Sequence, residues 1–434
     1  MKRLMLKEEV LPELFIEDRT KFERNNIITV LLVGALPAIA GSAISFILGI
    51  CLAWAVISVM RGTYRLEYFG GDLKICVAFS AFALVMFAAA MVPSNRMEAF
   101  PHLVWLIPFF APWFLIPRFR AGRDLDYLKF FIIGAGLGAI LALVLAGIQL
   151  GLGVARPTGG AGNAAVFGMV SLLLAAIAGL HIDAPERNLR WLAFFGTIAG
   201  LLATIISMTR GVWISAAFAS ILLLLYAPRH WAATIREFWI PLAALAVAAF
   251  LFLFQRFSSR IDHTFWEINQ FFTGGYSVSF VERYRLWEAA IATISESPII
   301  GYGIQNRMPA LYSMISDDFP DRSVTHAHNA FLNFYIDAGI FGLISLLVLL
   351  FAPLYVAIVT PADRLYRRRL YFCVITVTIY VTCGFTQIML NHDILDSFII
   401  LSAIIVAISI KPQSEAVPAA GQDQLTAGGR GEPT

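Results

Sequence analysis

Long apolar runs alternate with short polar breaks from residue 27 to residue 410. A helix needs about 20 predominantly apolar residues to cross the hydrocarbon core of a bilayer. The pattern therefore predicts an all-α polytopic membrane protein with about twelve transmembrane helices. The predicted spans are 27–41, 43–60, 73–92, 100–117, 128–152, 163–181, 189–207, 211–227, 237–255, 330–357, 370–390 and 394–410.

The polar breaks divide the chain into five parts. A charged cytoplasmic segment (1–26) precedes spans one to nine (27–255), and a long outer segment, 256–329, separates these from spans ten to twelve (330–410). The tail, 411–434, is rich in Ala, Gly, Gln and Pro and is predicted to be disordered. Two boundaries stay open, because the hairpin at Gly41–Ser42 and the break at 207–211 could each be one bent helix.

Basic residues give the orientation. Cytoplasmic loops of membrane proteins carry an excess of Lys and Arg. With the N-terminus inside, 23 basic residues fall in inner segments and 3 in short outer loops. We therefore expect both termini in the cytoplasm and the outer segment, the only stretch long enough to hold a site, in the periplasm.

Composition agrees with lipid as the solvent. Hydrophobic residues make up 59% of the chain and charged residues 14%, against roughly 45–50% and about 25% in soluble proteins. A net charge of +3 without a basic tract argues against nucleic acid as a partner. The four cysteines lie in apolar runs, which favours buried thiols over a disulfide framework.

The outer segment contains a predicted helix, 282–295, that ends before Pro298. Arg283 and Trp287 are four residues apart and share a face of this helix. A glycine turn at 300–303 follows and lets backbone approach closely. The apolar positions of the helix are Tyr284, Trp287, Ala290, Ile291 and Ile294.

Two histidines stand at the membrane boundary just before the tenth span, His326 and His328, followed by Asn329. A zinc site is disfavoured, because their spacing does not put both rings on one helix face and the nearest acids, at 317, 318 and 321, precede them on a loop. The two open interpretations are a structural histidine that caps the helix and a neutral imidazole that acts as a base or orients a substrate.

Two further polar stretches fall in outer loops. Thr209 could cap the eighth span, with Arg210 at a helix N-terminus that favours an anion; an arginine that extends to water at the interface is the alternative. The loop from Arg156 to Asn163 holds glycines that would allow a ligand to approach, although an ordinary loop is the more common meaning of such a stretch. The outer turn 391–393 is interpreted as a polar turn without a role.

Taken together, these stretches resemble the O-antigen ligase/polymerase family over roughly 150–345. The order and spacing of the motifs carry the resemblance more than any one of them. They are Ser207-Met208-Thr209-Arg210-Gly211, Arg283-Tyr284-Arg285-Leu286-Trp287, Pro298-Ile299-Ile300-Gly301-Tyr302-Gly303, His326-Ala327-His328-Asn329-Ala330-Phe331-Leu332 and Gly339-Ile340-Phe341-Gly342, with the glycine-bearing loop 156–163 ahead of them.

The resemblance implies a bacterial inner-membrane glycosyltransferase that works without a metal ion or another cofactor. Its donor would be a glycan on undecaprenyl pyrophosphate, and its acceptor a hydroxyl of lipid A–core or of a growing polysaccharide. Arg210 and Arg283, with Thr209, would bind the pyrophosphate, and His328 would activate the acceptor. Arg285 could replace Arg283, and His326 could replace His328. Substrate contacts are also expected at Arg156, Asn163, Trp287 and Asn329.

Three other function classes were weighed. A transporter or flippase should carry ionisable residues near the middle of its spans or two repeated halves with broken helices, whereas these spans are nearly free of charge at their centres. A membrane scaffold has no need of these arginines and histidines. An enzyme that glycosylates protein is not separated from one that uses a glycan or lipid acceptor, and ligase is not separated from polymerase.

Overall fold

The computed structural model describes residues 19–411, apart from 93–95, 123–124, most of 241–277, 316–323 and 388. The described residues form helices joined by loops, without strands. The helices are α1 (Arg19–Ala35), α2 (Ala43–Met60), α3 (Asp72–Ala90), α4 (Arg96–Leu106), α5 (Pro112–Arg120), α6 (Tyr127–Gly151), α7 (Ala164–Ala178), α8 (Arg187–Ile206), α9 (Arg210–Tyr226), α10 (Pro228–Glu237), α11 (Val278–Glu296), α12 (Arg307–Ser313), α13 (Ala330–Val359), α14 (Tyr366–Gly384) and α15 (Asp393–Ser409), with short 3₁₀ turns at Ile107–Phe110 and Gly179–His181.

Seven stretches of the described residues are long and apolar enough to cross a membrane. They correspond to seven of the predicted spans, those beginning at 43, 73, 100, 128, 163, 189 and 330. The count rises to eight if α9 and α10 are taken together, although a 100° bend separates them. The protein is therefore a polytopic α-helical membrane protein, but the prediction of twelve spans is not supported at this count.

The other predicted spans differ for separate reasons. The first becomes α1, which begins at Arg19, inside the segment expected to be cytoplasmic, and ends at Ala35, so it has only 17 residues. The eleventh becomes α14, whose first turn carries three arginines. The twelfth becomes α15, with 17 residues. Most of the ninth, 237–255, and the tail from 412 lie outside the described residues.

Helices α7 and α15 lie at the centre of the bundle. Every side chain in them is buried except those of Ala165 and Asp393. Small residues let α1 and α6 approach closely. A Cβ on Gly34 would lie 2.5 Å from the Phe131 carbonyl oxygen, and one on Gly138 would lie 2.5 Å from that of Ala35. Close backbone contact of this kind is how helices associate in lipid. It makes α1 part of the bundle in spite of its short length.

The predicted helix of the outer segment is confirmed as α11, but of the predicted apolar positions only Ala290 is fully buried. Leu286, Ala289, Ala290 and Thr293 are buried, whereas Tyr284 is 47% and Ile291 61% exposed. Both stripes follow helical spacing, so periodicity alone could not separate them. The buried stripe has the smaller side chains, which lets α11 pack closely against α12 and α13.

Helix α13 is broken at Ala338 and Gly339, where φ and ψ leave the helical region. The glycine turn docks into this break: the Tyr302 N–H donates to the Ile336 carbonyl at 2.8 Å, and the Ile340 N–H donates to the Pro298 carbonyl at 2.9 Å. A Cβ on Gly339, whose φ is +60°, would lie 2.1 Å from the Ile299 oxygen. The close approach predicted for the glycine turn is thus an approach to α13.

Candidate functional site

The predicted histidines lie on a short loop, 324–329, called here the histidine loop. Its backbone is fixed from both sides. The Ala327 N–H donates to Asn333 Oδ1 at 3.0 Å, and Trp287 Nε1 donates to the Ala327 carbonyl at 2.9 Å. His328 has a φ of +51°, in the left-handed region. This conformation costs free energy for a residue with a side chain, so it persists only where the surrounding structure imposes it. Asn329 then caps α13 by accepting the Leu332 N–H.

The two imidazoles are in contact, with ring centroids 4.3 Å apart and ring planes tilted by 60°. Both rings are partly buried. Burial and, as the smaller cause, the Arg283 charge together lower the pKa of His328 from 6.5 to about 4. Burial also lowers the pKa of His326 to about 4, with further contributions from His328, Arg307 and Arg283. Each ring is therefore neutral near pH 7 and able to accept a proton.

Arg283 acts electrostatically on both rings. Its position follows from α11, because Trp287, one turn further along the same face, is hydrogen-bonded to the backbone between the histidines. Arg285 is two residues away from Arg283, roughly 200° around a helix with 3.6 residues per turn. Of the two candidate arginines on α11, Arg283 is the one on the side of the histidine loop.

The second predicted cation, Arg210, is the first residue of α9. A turn with Met208 at a φ of +54° separates α8 from α9, so these are two helices and not one bent helix. Thr209 occupies the N-cap position of α9, as predicted, but its side chain makes no capping bond, because its hydroxyl donates to the Ala164 carbonyl at 3.2 Å. The cause is the neighbouring start of α7, whose first carbonyl draws the hydroxyl away.

Residues 385–387, after the end of α14, connect Arg210 to the histidine loop. A Cβ on Gly211 would lie 2.5 Å from Thr386 Oγ1, so α9 begins against this segment. The ring of Phe385 lies 4.8 Å from that of Phe331, three residues after His328. Arg210 and His328 are therefore attached to the same small cluster at one end of the bundle.

The predicted glycine loop, 156–163, has a structural explanation. A Cβ on Gly160 would lie 2.3 Å from the Ile39 carbonyl oxygen, and the Gly160 N–H donates to the Ala38 carbonyl. Its glycines thus approach the turn between α1 and α2. The Asn163 side chain caps α7, accepting the Ala165 N–H at 2.8 Å. Arg156 is exposed on the same loop.

One pair of charged residues near the histidines escaped the sequence analysis. Arg307, at the start of α12, forms a two-pronged ion pair with Asp337 of α13, with Nε 2.7 Å from Oδ1 and Nη2 bonded to Oδ2. His102 of α4 lies within electrostatic range of both. Asp337 is an acid inside an apolar 30-residue run, which was the available signal. Its partner Arg307, 30 residues earlier in the chain, gave no such signal.

Within the ranges given above, no group of three or more His, Cys, Asp or Glu side chains could hold a metal ion. The aspartates at 317, 318 and 321 lie outside those ranges. The described residues bring together two neutral bases and the Arg283 charge, and residues 385–387 link this group to the helix N-terminus that begins with Arg210. Such a set can bind an anion and accept a proton from a hydroxyl group.

A sequence model described as O-Antigen ligase matches residues 195–347. The matched stretch begins in α8 and ends in α13, and it includes Arg210, Arg283 and both histidines. This domain belongs to the O-antigen ligase family. No curated protein matches the chain.

This match supports a glycan-transfer role in polysaccharide or lipopolysaccharide synthesis, with lipid-linked glycans and polysaccharide or lipid A acceptors as the broad substrate classes. The segment 385–387, which lies against the start of α9 and against Phe331 of α13, is outside the matched residues. The start of α9, where Arg210 lies, therefore packs against a part of the chain beyond the match.

Proposed function

We propose that the protein is an inner-membrane glycosyltransferase that moves a glycan from undecaprenyl pyrophosphate to an acceptor hydroxyl on the periplasmic face. The acceptor is lipid A–core for a ligase or the end of a growing polysaccharide for a polymerase. The observation that carries the proposal is the neutral pair His326 and His328 beside Arg283, inside the O-antigen ligase domain.

The donor pyrophosphate is assigned to Arg210 and Arg283. As the bond between the sugar C1 and the phosphate oxygen breaks, its electron pair goes to the leaving pyrophosphate, which gains negative charge. Guanidinium groups make two-pronged, charge-assisted hydrogen bonds to phosphate oxygens and stabilise that charge in the transition state. The amides of the first turn of α9, which the Thr209 side chain does not cap, add a positive partial charge at Arg210.

Removal of the proton from the acceptor hydroxyl is assigned to His328. The acceptor oxygen forms the new bond to C1 from the side opposite the pyrophosphate, and its proton passes to the imidazole. One displacement of this kind inverts the anomeric centre. His326 lies ring against ring with His328 and is the alternative base. A proton acceptor with a pKa near 4 is weaker than free imidazole, but it is fully deprotonated at neutral pH.

The chemistry proposed needs no metal ion, since the arginines and a helix N-terminus supply the positive charge. Transfer by purified protein in lipid should therefore survive chelators. Complete loss on chelation, restored by one divalent ion, would instead assign a ligand role to residues of the outer segment.

A lipid or polysaccharide flippase is the competing function. Two buried acids, Asp337 and Asp396, do lie within apolar helices, as the transporter class requires. They are the eighth residue of α13 and the fourth of α15, near the helix ends that carry the site, and not at mid-membrane. This location favours a site at one surface over a path across the bilayer.

The test uses reconstituted protein with a short glycan on polyprenyl pyrophosphate and each acceptor class in turn. We expect a new glycosidic bond and release of polyprenyl pyrophosphate. His328→Ala should lower single-turnover transfer by about 10²–10⁴-fold, the usual contribution of a general base, and leave donor affinity near that of the parent. Movement of the donor lipid across the vesicle membrane without a new bond would contradict the proposal.

A deletion strain distinguishes the two acceptors. Long chains that are lost from lipopolysaccharide but persist on the lipid carrier identify a ligase. Accumulation of single repeat units identifies a polymerase. His326→Ala is the matched control for the base: if it alone stops transfer, His326 takes the role assigned to His328.

A further inference from the structure

The Arg307–Asp337 ion pair lies close to the proposed site, at the opposite end of the segment 330–337 from the histidine loop. Asp337 is fully buried and is the last helical residue of α13 before the break at Ala338–Gly339. Arg307 is 9% exposed and begins α12. Burying two charges costs free energy unless they are paired with good geometry. An apolar pair could fill the same space, so the charged pair calls for an explanation beyond packing.

The break separates the first part of α13, 330–337, from the rest of the helix. The carbonyls of Ile336 and Asp337 accept the N–H groups of Tyr302 and Gly303, at 2.8 and 2.9 Å. In an unbroken helix they would accept from residues four positions further on. The glycine turn, with the residues 298–299 before it, therefore replaces the missing helical bonds, and the ion pair ties the side chain of Asp337 to the start of α12, which follows that turn.

The opposite end of 330–337 carries the histidine loop. Asn329 caps it, and Asn333, one turn along, accepts the Ala327 N–H. His326 and His328 flank Ala327. A shift of 330–337 at its lower end is therefore passed to both imidazoles through a rigid helical segment of two turns.

Resting on the proposed function, we propose that the Arg307–Asp337 pair is a positioning device: it holds the segment 330–337 against the glycine turn and so sets the place and tilt of His326 and His328. Neither residue touches the reacting atoms in this proposal. Arg307 also acts electrostatically on His326 from below, as Arg283 does from α11, and Asp337 compensates its charge.

The chain offers a matched control in the Arg120–Asp72 pair. It has the same two-pronged geometry, with Nε and Nη2 of Arg120 2.9 and 2.8 Å from the carboxylate oxygens. Its side chains are 7% and 1% exposed, against 10% and 0% for Arg307 and Asp337. It joins the end of α5 to the start of α3 and includes none of the proposed site residues.

The experiment compares Asp337→Asn with Asp72→Asn in the full-length reconstituted protein. Both variants should lose thermal stability. Only Asp337→Asn should lower single-turnover transfer at saturating donor and acceptor, by about 10–100-fold, the effect of a small misplacement of reacting groups. Donor affinity should stay within about threefold of the parent. If Asp337→Asn does not fold, Arg307→Lys replaces it in the comparison. This variant keeps the positive charge but loses the two-pronged geometry, so it should lower transfer in the same way but by less.

A second measurement, without substrate, separates this inference from the proposed function. Amide hydrogen exchange in 298–303 and 326–334 should rise in Asp337→Asn and stay at the parent level in Asp72→Asn. A parent without transfer activity would overturn the proposed function, while the exchange result would still decide the positioning role. An active parent with unchanged exchange and transfer in Asp337→Asn, or an equal loss of transfer in Asp72→Asn, would overturn the positioning role alone.

Discussion

The histidine loop predicts the acid limb of the pH–rate profile, the low-pH range in which the rate of transfer falls. An imidazole is a base only when it is neutral, and the pKa of His328 is lowered, mainly by burial, to about 4. The base-competent form therefore predominates above about pH 4 and is lost only as the pH falls through that value. An exposed histidine would lose it near pH 6.5.

The difference is large at a moderate pH. Between pH 7.5 and 5.5, a base with a pKa of about 4 stays at least about 95% neutral, whereas one with a pKa of about 6.5 falls from roughly 90% to 10% neutral. Transfer should therefore be almost constant over this interval, against a drop of about tenfold for an unperturbed histidine. The donor does not titrate in this range, since both of its phosphates are esterified.

The assay is kcat/KM for the donor in lipid-reconstituted protein between pH 4 and 8, because this ratio reports the free enzyme. Arg283→Gln should move the acid limb upward, since it removes a positive charge beside both rings. The limb should remain below pH 6.5, because burial is the larger cause. An acid limb near pH 6.5 in the parent, or a downward shift in Arg283→Gln, would refute the reasoning.

Three other predictions test the cations, the orientation and the broken helix. Arg210→Ala and Arg283→Ala should each weaken donor binding by roughly 1.5–3 kcal/mol and lower turnover, and Lys at either position should restore little of either, as measured by donor titration. Cysteine at Ser295 should react with an impermeant thiol reagent from the periplasmic side and cysteine at Ala362 should not, with the parent as control; the reverse pattern would invert the topology. Gly339→Ala should destabilise the protein by about 1–3 kcal/mol or more in a thermal melt, since φ is +60° and the new Cβ would meet the Ile299 oxygen; an unchanged melt would contradict the docking of the glycine turn.

The sequence alone was sufficient to predict those helices whose pattern lies in neighbouring residues. Apolar runs located the long helices, and the spacing before Pro298 located α11. The Thr209 side chain does not form the predicted capping bond, because a competing acceptor, the Ala164 carbonyl, comes from a helix 45 residues earlier. The buried face of α11 was predicted only in part, because two apolar stripes share one helical period.

Long-range pairing explains most of what was missed in the site. The residues 307 and 337 meet only because the glycine turn folds back onto the break in α13. The segment 385–387 reaches α9 from the far end of the chain. Neither contact leaves a mark in local spacing. The predicted span count is not reached for a different reason: the apolar runs of α1 and α15 look like ordinary spans in the sequence, but each of these helices has only 17 residues.

The break in α13 also decides where this protein can be cut and recombined. Counted by hydropathy, the outer segment ends at 329 and the membrane helix begins at 330. Counted by hydrogen bonds, 330–337 goes with the outer segment, because its carbonyls serve the glycine turn and its first turn supports the histidines. A chimera that exchanges the outer segment at 329 would divide this unit between two parents. A junction at Gly339 would transfer it whole, with the glycine turn and its acceptors from the same parent.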